Sequence, residues 1–485
     1  MYLGIDLGTS SVKAVVVDGA QRILAAAAAP LSVSRPRALW SEQSPGDWWA
    51  AVELAVLELR GTAGVAWSAI SAIGLSGQMH GLVLLDEAGL PLRPAILHND
   101  GRAFAEAEAL NRQLPDIGAI AGVPAMPGFA APKLLWLARH EPEVLARARH
   151  VLLPKDYVRF RLTGAFATDM CDASGALLLD TGKRQWSPEI VRACGIGMDV
   201  LPAALEGNAV SGTLSKQRAA HWGLVPGISV AAGAGDAAAG AVASGAVNAG
   251  DAFISLGTAT QYFVARTEYR PAPQHLIHSF CHGLPNRWFQ MAALLNGAGA
   301  LAWAAGLLGK SDIGALLAET ERAFTGPSPV LFLPYLSGER TPHNNPHAKG
   351  VLFGLTPSTT PEQVTQAVLE GVALSLADVQ GSLEETGALP DRIAVNGGGS
   401  RSRFWMRILA SALNKTVLLQ DGSESGPAFG AARLARLAAT GEDPAAVCSK
   451  PRITEEIAPD QALADAYGQR LTHFRALYRA VVPLF

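Results

Sequence analysis

One short phrase occurs twice in this chain, and the repeat constrains the fold more than anything else in the sequence. Gly4-Ile5-Asp6-Leu7-Gly8-Thr9-Ser10 opens the chain, and Phe253-Ile254-Ser255-Leu256-Gly257-Thr258-Ala259 comes just past its middle. Each copy leads in with a short apolar run of strand character and ends in Leu-Gly-Thr. A Gly-Thr pair closes a tight turn whose backbone N–H groups face outward. Such a concavity suits an anion, and the hydroxyl adds one more donor. One turn of this kind carries little information. A copy in each half predicts that the two halves grip one polyphosphate from opposite sides.

A chain of 485 residues is too long for one compact core and suits two domains, which we set at 1–245 and 246–485. Hydrophobic residues make up 49% and charged ones 17%, enough for a large core and too apolar for disorder. The net charge of −3 offers no basic footprint, which argues against nucleic acid as a partner. Cys171, Cys194, Cys281 and Cys448 are scattered with no C-x-x-C pair, as expected of free thiols in a reduced compartment. The first residues read directly as strand, without a signal-peptide pattern, and no apolar run reaches the ~20 residues of a membrane span. The expectation is a cytoplasmic protein with no membrane partner.

Asp6 falls at the end of the first strand, beside the first turn. A carboxylate next to a polyphosphate makes sense with a divalent cation between them, so Asp6 is the candidate metal ligand; a turn-capping Asp is the plainer alternative. Asp18-Gly19 reads as a hairpin turn between strands, and Ser44-Pro45 as the start of a capped helix over residues 48–59. A strand over residues 69–75 delivers Gln78-Met79-His80. An amide and an imidazole that bond hydroxyls, with a thioether wall between them, would line a polyol pocket; a buried structural His fits the same local pattern. His98-Asn99-Asp100 forms a second polar cluster of the same strand-end type. Lys133 to Trp136 reads as packing helix, and residues 156–180 as short strands alternating with polar segments.

Gly233-Ala234-Gly235-Asp236 follows a strand and opens a helix of small residues, but lacks the third Gly of the dinucleotide fingerprint. At a helix N-terminus Asp236 is held ionised and can accept a proton, with glycines giving substrate room; an ordinary helix cap fits equally well. His275, His278, Cys281 and His282 lack four-ligand zinc spacing, and Gly309-Lys310-Ser311 lacks the first Gly of a P-loop. Thr360-Pro361-Glu362-Gln363 is a capping box at the head of a long helix. A strand then runs into Asn396-Gly397-Gly398-Gly399, where missing Cβ atoms let a flat ligand touch backbone. Gly426-Pro427 opens another small-residue helix, so this region is either a nucleoside slot or a close helix crossing.

These residues resemble, end to end, the FGGY carbohydrate kinases, and within them the bacterial enzymes that act on D-xylulose. The resemblance is carried by Asp6-Leu7-Gly8-Thr9-Ser10, Leu39-Trp40-Ser41-Glu42-Gln43, Gln78-Met79-His80-Gly81, Ala131-Pro132-Lys133-Leu134-Leu135-Trp136, Leu153-Pro154-Lys155-Asp156-Tyr157, Gly235-Asp236 and Ser337-Gly338-Glu339-Arg340-Thr341-Pro342-His343-Asn344. It implies an α/β fold of two ribonuclease-H-like domains, of the actin and sugar-kinase ATPase type, flanking a central cleft. It also implies ATP and Mg²⁺ as cofactors, D-xylulose as substrate, and a homodimer. By position it makes Asp236 the general base and Asp6 part of the metal–phosphate centre. Gln78, Met79, His80, Asn99 and Asp100 would face the sugar. Gly8, Thr9, Ser10, Gly257 and Thr258 would hold phosphates, and Gly397, Gly398 and Gly399 the adenosine. Similar kinases carry Trp where His98 stands, Asn where Ala237 stands, and Ser-Gly where Ala259-Thr260 stands. The first two departures flank the expected sugar position, so ribulose or another ketose or polyol is the alternative substrate. A sugar-independent ATPase like actin or a chaperone is the more distant alternative.

Overall fold

The apolar lead-in of the first phrase forms strand β1 (Tyr2–Leu7), which turns at Gly8 and returns antiparallel as β2 (Ser11–Val17), in a computed structural model that describes residues 1–421 and 426–485. Strand β3 (Ile23–Pro30) continues the meander, and β4 (Ala72–Gly77) lies parallel to β1 on its other side. With β5 (Val210–Thr213) and β6 (Ser229–Ala231), the sheet runs β5-β6-β4-β1-β2-β3, and Ala234–Gly235 also pairs along β4. The turn at Asp18-Gly19 is longer than a two-residue hairpin. Asp18 draws the chain round to Arg22 by accepting from its backbone N and its Nε, each at 2.8 Å.

The second phrase builds a second sheet on the same plan. Its strands are β7 (Ala252–Leu256), β8 (Thr260–Arg266), β9 (His278–Cys281), β10 (Trp288–Leu294), β11 (Arg392–Asn396), β12 (Thr416–Gln420) and β13 (Ile453–Ile457). They are ordered β9-β10-β8-β7-β11-β12-β13. In both sheets the phrase-bearing strand is central, with its antiparallel hairpin partner on one side and a parallel strand on the other. A strand buried on both faces must be nearly all apolar, which is why these lead-ins do not alternate.

Helix α1 (Pro45–Ala63) covers the first sheet with Trp48, Val52, Val56 and Leu59, and Ser44 caps it by accepting from Gly46 N. The small-residue helix α2 (Asp236–Ser244) contributes Ala238, Ala241 and Val242 to a core that includes Phe253 and Phe263 of the second sheet. Helix α3 (Pro361–Glu384) carries both hydrogen bonds of the Thr360–Gln363 capping box, and α4 (Arg403–Leu413) packs beside it. Helix α5 (Gly426–Thr440) comes late in the chain yet lies on the first sheet, against β1 and β4. The late helix is thus exchanged onto the early sheet, where it also packs along α2.

Glycine makes that exchange possible. A Cβ on Gly74 would lie 1.8 Å from Ala431 O, and one on Gly4 would lie 1.9 Å from Ala428 O. Where α5 crosses α2, a Cβ on Gly430 would lie 1.9 Å from Ala239 O. Backbone meets backbone at each point, so no rotamer change could relieve a substitution. Gly74→Val is expected to cost about 1–3 kcal/mol or more by overpacking. A melting temperature several degrees below the parent's would show it, and an unchanged one would contradict the crossing.

Candidate active site

Asp6 is the next-to-last residue of strand β1 and Asp236 the first of helix α2, and the two carboxylates lie close enough for Asp6 to raise Asp236. Burial lifts Asp236 to about 7, with Asp6 adding to the rise and the Ala237 N–H, 2.7 Å from Oδ1, working against it. Burial likewise lifts Asp6 to about 6, eased by Ser76 and Lys13. Asp6 Oδ1 is buried with no hydrogen-bond partner among the described residues. Burial disfavours the charged form of both carboxylates, and the charge of Asp6 adds to the rise at Asp236.

Met79 and His80 stand beside Asp236. A Cβ on Gly235 would lie 2.5 Å from Met79 Cγ, and one on Gly175 would lie 2.7 Å from Met79 Cε and 3.0 Å from His80 Nδ1. These two glycines let the Met79-His80 turn seat against the start of α2. His80 has φ 68°, and its Nδ1 lies 2.7 Å from Gly175 O. That carbonyl can only accept, so Nδ1 carries the hydrogen and Nε2 is left as an acceptor. Burial, then nearby His278, holds His80 well below its ordinary value and therefore neutral. Gln78 points toward the Gly8–Ser10 turn. Its Oε1 accepts from Thr9 Oγ1 at 3.2 Å, and its Nε2 donates to Gln43 Oε1 at 3.0 Å, an oxygen that also accepts from Trp48 Nε1.

The two turns differ in their supports. Gln43 Nε2 donates to Thr9 O at 2.8 Å, whereas the carbonyls of Gly257 and Thr258 accept from Ala298 N and Gly299 N at the head of the helix Ala298–Leu307. Ser10 and Thr258 are exposed. Gly397, at φ 90°, presses on the second turn: a Cβ there would lie 2.7 Å from Leu256 O. Gly399 packs on Leu256 and Trp405, while Gly398 has open space around its Cα. A cleft of about 240 Å³ lies at the seam, lined by Asp236 and Ala237 of α2, Ser255, Gln261, Asn396, Gly397, Gln420 and Gly426. Asp6, Thr9, Gly257 and Thr258 are not part of its lining.

Asn99 is exposed, and Asp100 is buried with both oxygens engaged by the protein itself. They accept from Ser41 N at 2.6 Å and from the backbone N, Nε and Nη2 of Arg102 at 3.0, 2.9 and 2.7 Å. The four residues of the His275–His282 cluster diverge: His275 pairs with Glu385, Cys281 Sγ reaches Thr181 O, and His282 meets Ala246 O.

Two buried supports escaped the sequence reading. Lys133 Nζ donates to the carbonyls of His80, Ile96 and Gly128 at 2.8, 3.2 and 2.7 Å, and burial pulls it down to about 7. Lys155 Nζ lies 2.6, 2.5 and 2.8 Å from Asp156, Asp169 and Asp172, with Arg159 on Asp156 at 2.7 Å. Residues 154–163 are a helix with Pro154 at its start, not the short strands expected there. Tyr157, Val158 and Phe160 imitate a strand locally, but Lys155, Asp156 and Arg159 face inward because their ion partners lie inside. Arg159 also holds Ala232 O, just ahead of the Asp236 turn, and Asp172 sits in the helix whose last residue is the Gly175 that accepts from His80.

The model of the FGGY family of carbohydrate kinases, N-terminal domain, matches residues 1–243, and that of its C-terminal domain matches residues 252–439. The chain belongs to the FGGY family of carbohydrate kinases. It is 45% identical, over the whole of both chains, to the xylulose kinase of Escherichia coli strain K12. It aligns over its full length with the crystal structure of a xyloylose kinase from Brucella ovis, at a TM-score of 0.96 and 45% identity, covering all of that chain. A gluconate kinase from Lactobacillus acidophilus shares the fold at a TM-score of 0.92 and 24% identity, over 99% of this chain and 97% of its own. As an FGGY kinase the protein moves a phosphoryl group from ATP to a sugar.

An FGGY kinase needs a base for the sugar hydroxyl, and a carboxylate that titrates near neutrality is well matched to that work. If Asp236 is that base, the free enzyme loses it by protonation below its raised value of about 7. kcat/KM is then expected to climb with pH between about 5.5 and 7.5 and level off above. A profile flat across that range would contradict the pairing.

Proposed function

We propose that this kinase phosphorylates D-xylulose at its C5 hydroxyl, with Asp236 accepting the hydroxyl proton as oxygen attacks the γ-phosphoryl group in line. The observation that carries the reading is the raised Asp236 at the head of α2, next to Gly235, whose backbone is packed on Met79, and lining a 240 Å³ cleft between the halves. Relatives at 45% and 43% identity over their full lengths bear the name xylulose kinase, which supports the choice of sugar. In this reading Met79 and His80 hold the ketose, with His80 Nε2 accepting from a hydroxyl. The turns at Gly8–Ser10 and Gly257–Thr258 bond the phosphates through backbone N–H groups. Gly397, Gly398 and Gly399 give the nucleoside room to lie against backbone. Asn99, exposed beside His98, is a sugar contact; Asp100, held by Arg102 and Ser41, shapes the loop that presents it. The assignment of residues 1–245 and 246–485 to separate lobes belongs to the same reading.

The residues fit Mg²⁺. Asp6 Oδ1 is a hard, buried oxygen without a hydrogen-bond partner among the described residues, and Asp236 stands beside it. Bound there with the nucleotide, the cation would offset negative charge on the phosphates. What the protein's own groups do is orient the hydroxyl, accept its proton and keep water out.

Another ketose, such as ribulose, is the second reading. Ala237 favours it, because a methyl lines the cleft next to the base where an amide could have bonded a hydroxyl. A coupled assay across ketoses and polyols is expected to give D-xylulose the highest kcat/KM; a better rate on ribulose would transfer the assignment. Asp236→Ala is expected to lower kcat by about 10²–10⁴-fold while ADP still binds. Near-parent turnover would remove Asp236 from the role.

A further inference from the structure

The C-terminal half brings the His278 ring against His80, and beside it a loop carrying Arg340, neither of which the mechanism above uses. His278, on β9, has no exposed surface, and neither Nδ1 nor Nε2 has a hydrogen-bond partner among the described residues. Its ring lies 6.3 Å from His80, 5.6 Å from Phe129 and 5.3 Å from Phe280, so it closes an aromatic group that crosses from one half to the other. Arg340 is held nearby. Its neighbour Thr341 accepts from Ala293 N at 3.2 Å and donates to Leu276 O at 3.3 Å, which fixes this loop against the strands that carry His278. The Arg340 charge reaches His80, His98 and His278, helping to keep all three neutral. Glu339, the nearest acid to Arg340, already accepts from Leu295 N, Arg340 N and Asn296 Nδ2.

A buried imidazole with two unmet nitrogens is costly unless something bonds it. A neutral imidazole offers one donor and one acceptor, and a guanidinium offers donors only. Together with the acceptor at His80 Nε2, that mixture matches an uncharged polyhydroxy compound, whose hydroxyls both give and take hydrogen bonds. It matches poorly with a cation, which Arg340 would repel. We propose that His278 and Arg340 contact the sugar seated on Met79 and His80, so that sugar recognition spans the seam between the halves. This rests on the kinase reading above. Both nitrogens of His278 are sealed from solvent, so the sugar enters as the halves part, and the contact forms as they come together over it. The histidine at 278 and the block around Arg340 then have a shared reason to be where they are, which neither zinc spacing nor packing supplied.

The test is steady-state kinetics on the full-length enzyme with D-xylulose and ATP each varied, and ADP binding by calorimetry as the check on folding. His278→Phe keeps the ring stack and removes both nitrogens; Arg340→Met keeps the length and removes the donors. Each is expected to raise the sugar KM by about tenfold or more, with the ATP KM changed by less than about threefold. Should His278→Phe fail to bind ADP, Arg340→Met alone carries the test. Sugar KM values within about twofold of the parent's in folded variants would overturn the contact. A parent enzyme with no ketose-dependent turnover would instead overturn the functional reading on which the contact rests.

Discussion

Two carboxylates that cannot both be comfortably charged set the terms for this molecule. Asp6 and Asp236 are pressed together at the seam, and burial raises one to about 6 and the other to about 7. Such a pair opposes folding by itself, so the surrounding structure must hold it there. The backbone does much of this. Glycines at 4, 74 and 430 let α5 lie directly on β1, β4 and α2, so the strand that carries Asp6 and the helix that starts at Asp236 pack against the same helix.

A second layer of support lies beneath the Met79-His80 turn. Lys155 and Arg159 meet Asp156, Asp169 and Asp172 with no exposure to solvent, leaving three acids against two bases. Burial, opposed by Lys155 and reinforced by Asp169 and Asp156, pushes Asp172 well above the usual carboxylate range. Buried ion pairs of this kind are weak sources of net stability, and their value is geometric. Here the geometry is specific. Arg159 fixes Ala232 ahead of Asp236, and the helix of Asp172 presents Gly175 O to His80. Lys133 adds a third restraint by gathering the carbonyls of His80, Ile96 and Gly128.

What could be read from the residues alone was whatever depends on neighbours in sequence. The Leu-Gly-Thr repeat marks two turns because a glycine and a hydroxyl beside an apolar strand make an anion nest without outside help. Thr360 and Gln363 mark a helix start because the capping box is closed within four residues. Asp236 at a strand–glycine–helix junction is legible as either a cap or a base; its value near 7 comes first from burial and then from Asp6, 230 positions away in the sequence, and neither is visible locally. The helix Pro154–Thr163 was misread because its inward charges make sense only beside Asp169 and Asp172. The hold on Asp100 is likewise only partly local: Arg102 is close in sequence, but the fourth donor, Ser41 N, lies 59 residues away. The loop that carries Arg340 is brought beside the His278 strand by Thr341, whose partners Ala293 N and Leu276 O are 48 and 65 residues away in sequence.

The measurement that bears most directly on the account is a crystal structure of the enzyme with D-xylulose, Mg²⁺ and a non-hydrolysable ATP analogue. The account predicts one triphosphate bonded by backbone N–H groups of both the Gly8–Ser10 and Gly257–Thr258 turns, its γ-phosphate facing Asp6, and a terminal sugar hydroxyl within hydrogen-bond reach of Asp236. A triphosphate held by one turn only, or a sugar whose terminal hydroxyl points away from Asp236, would contradict it.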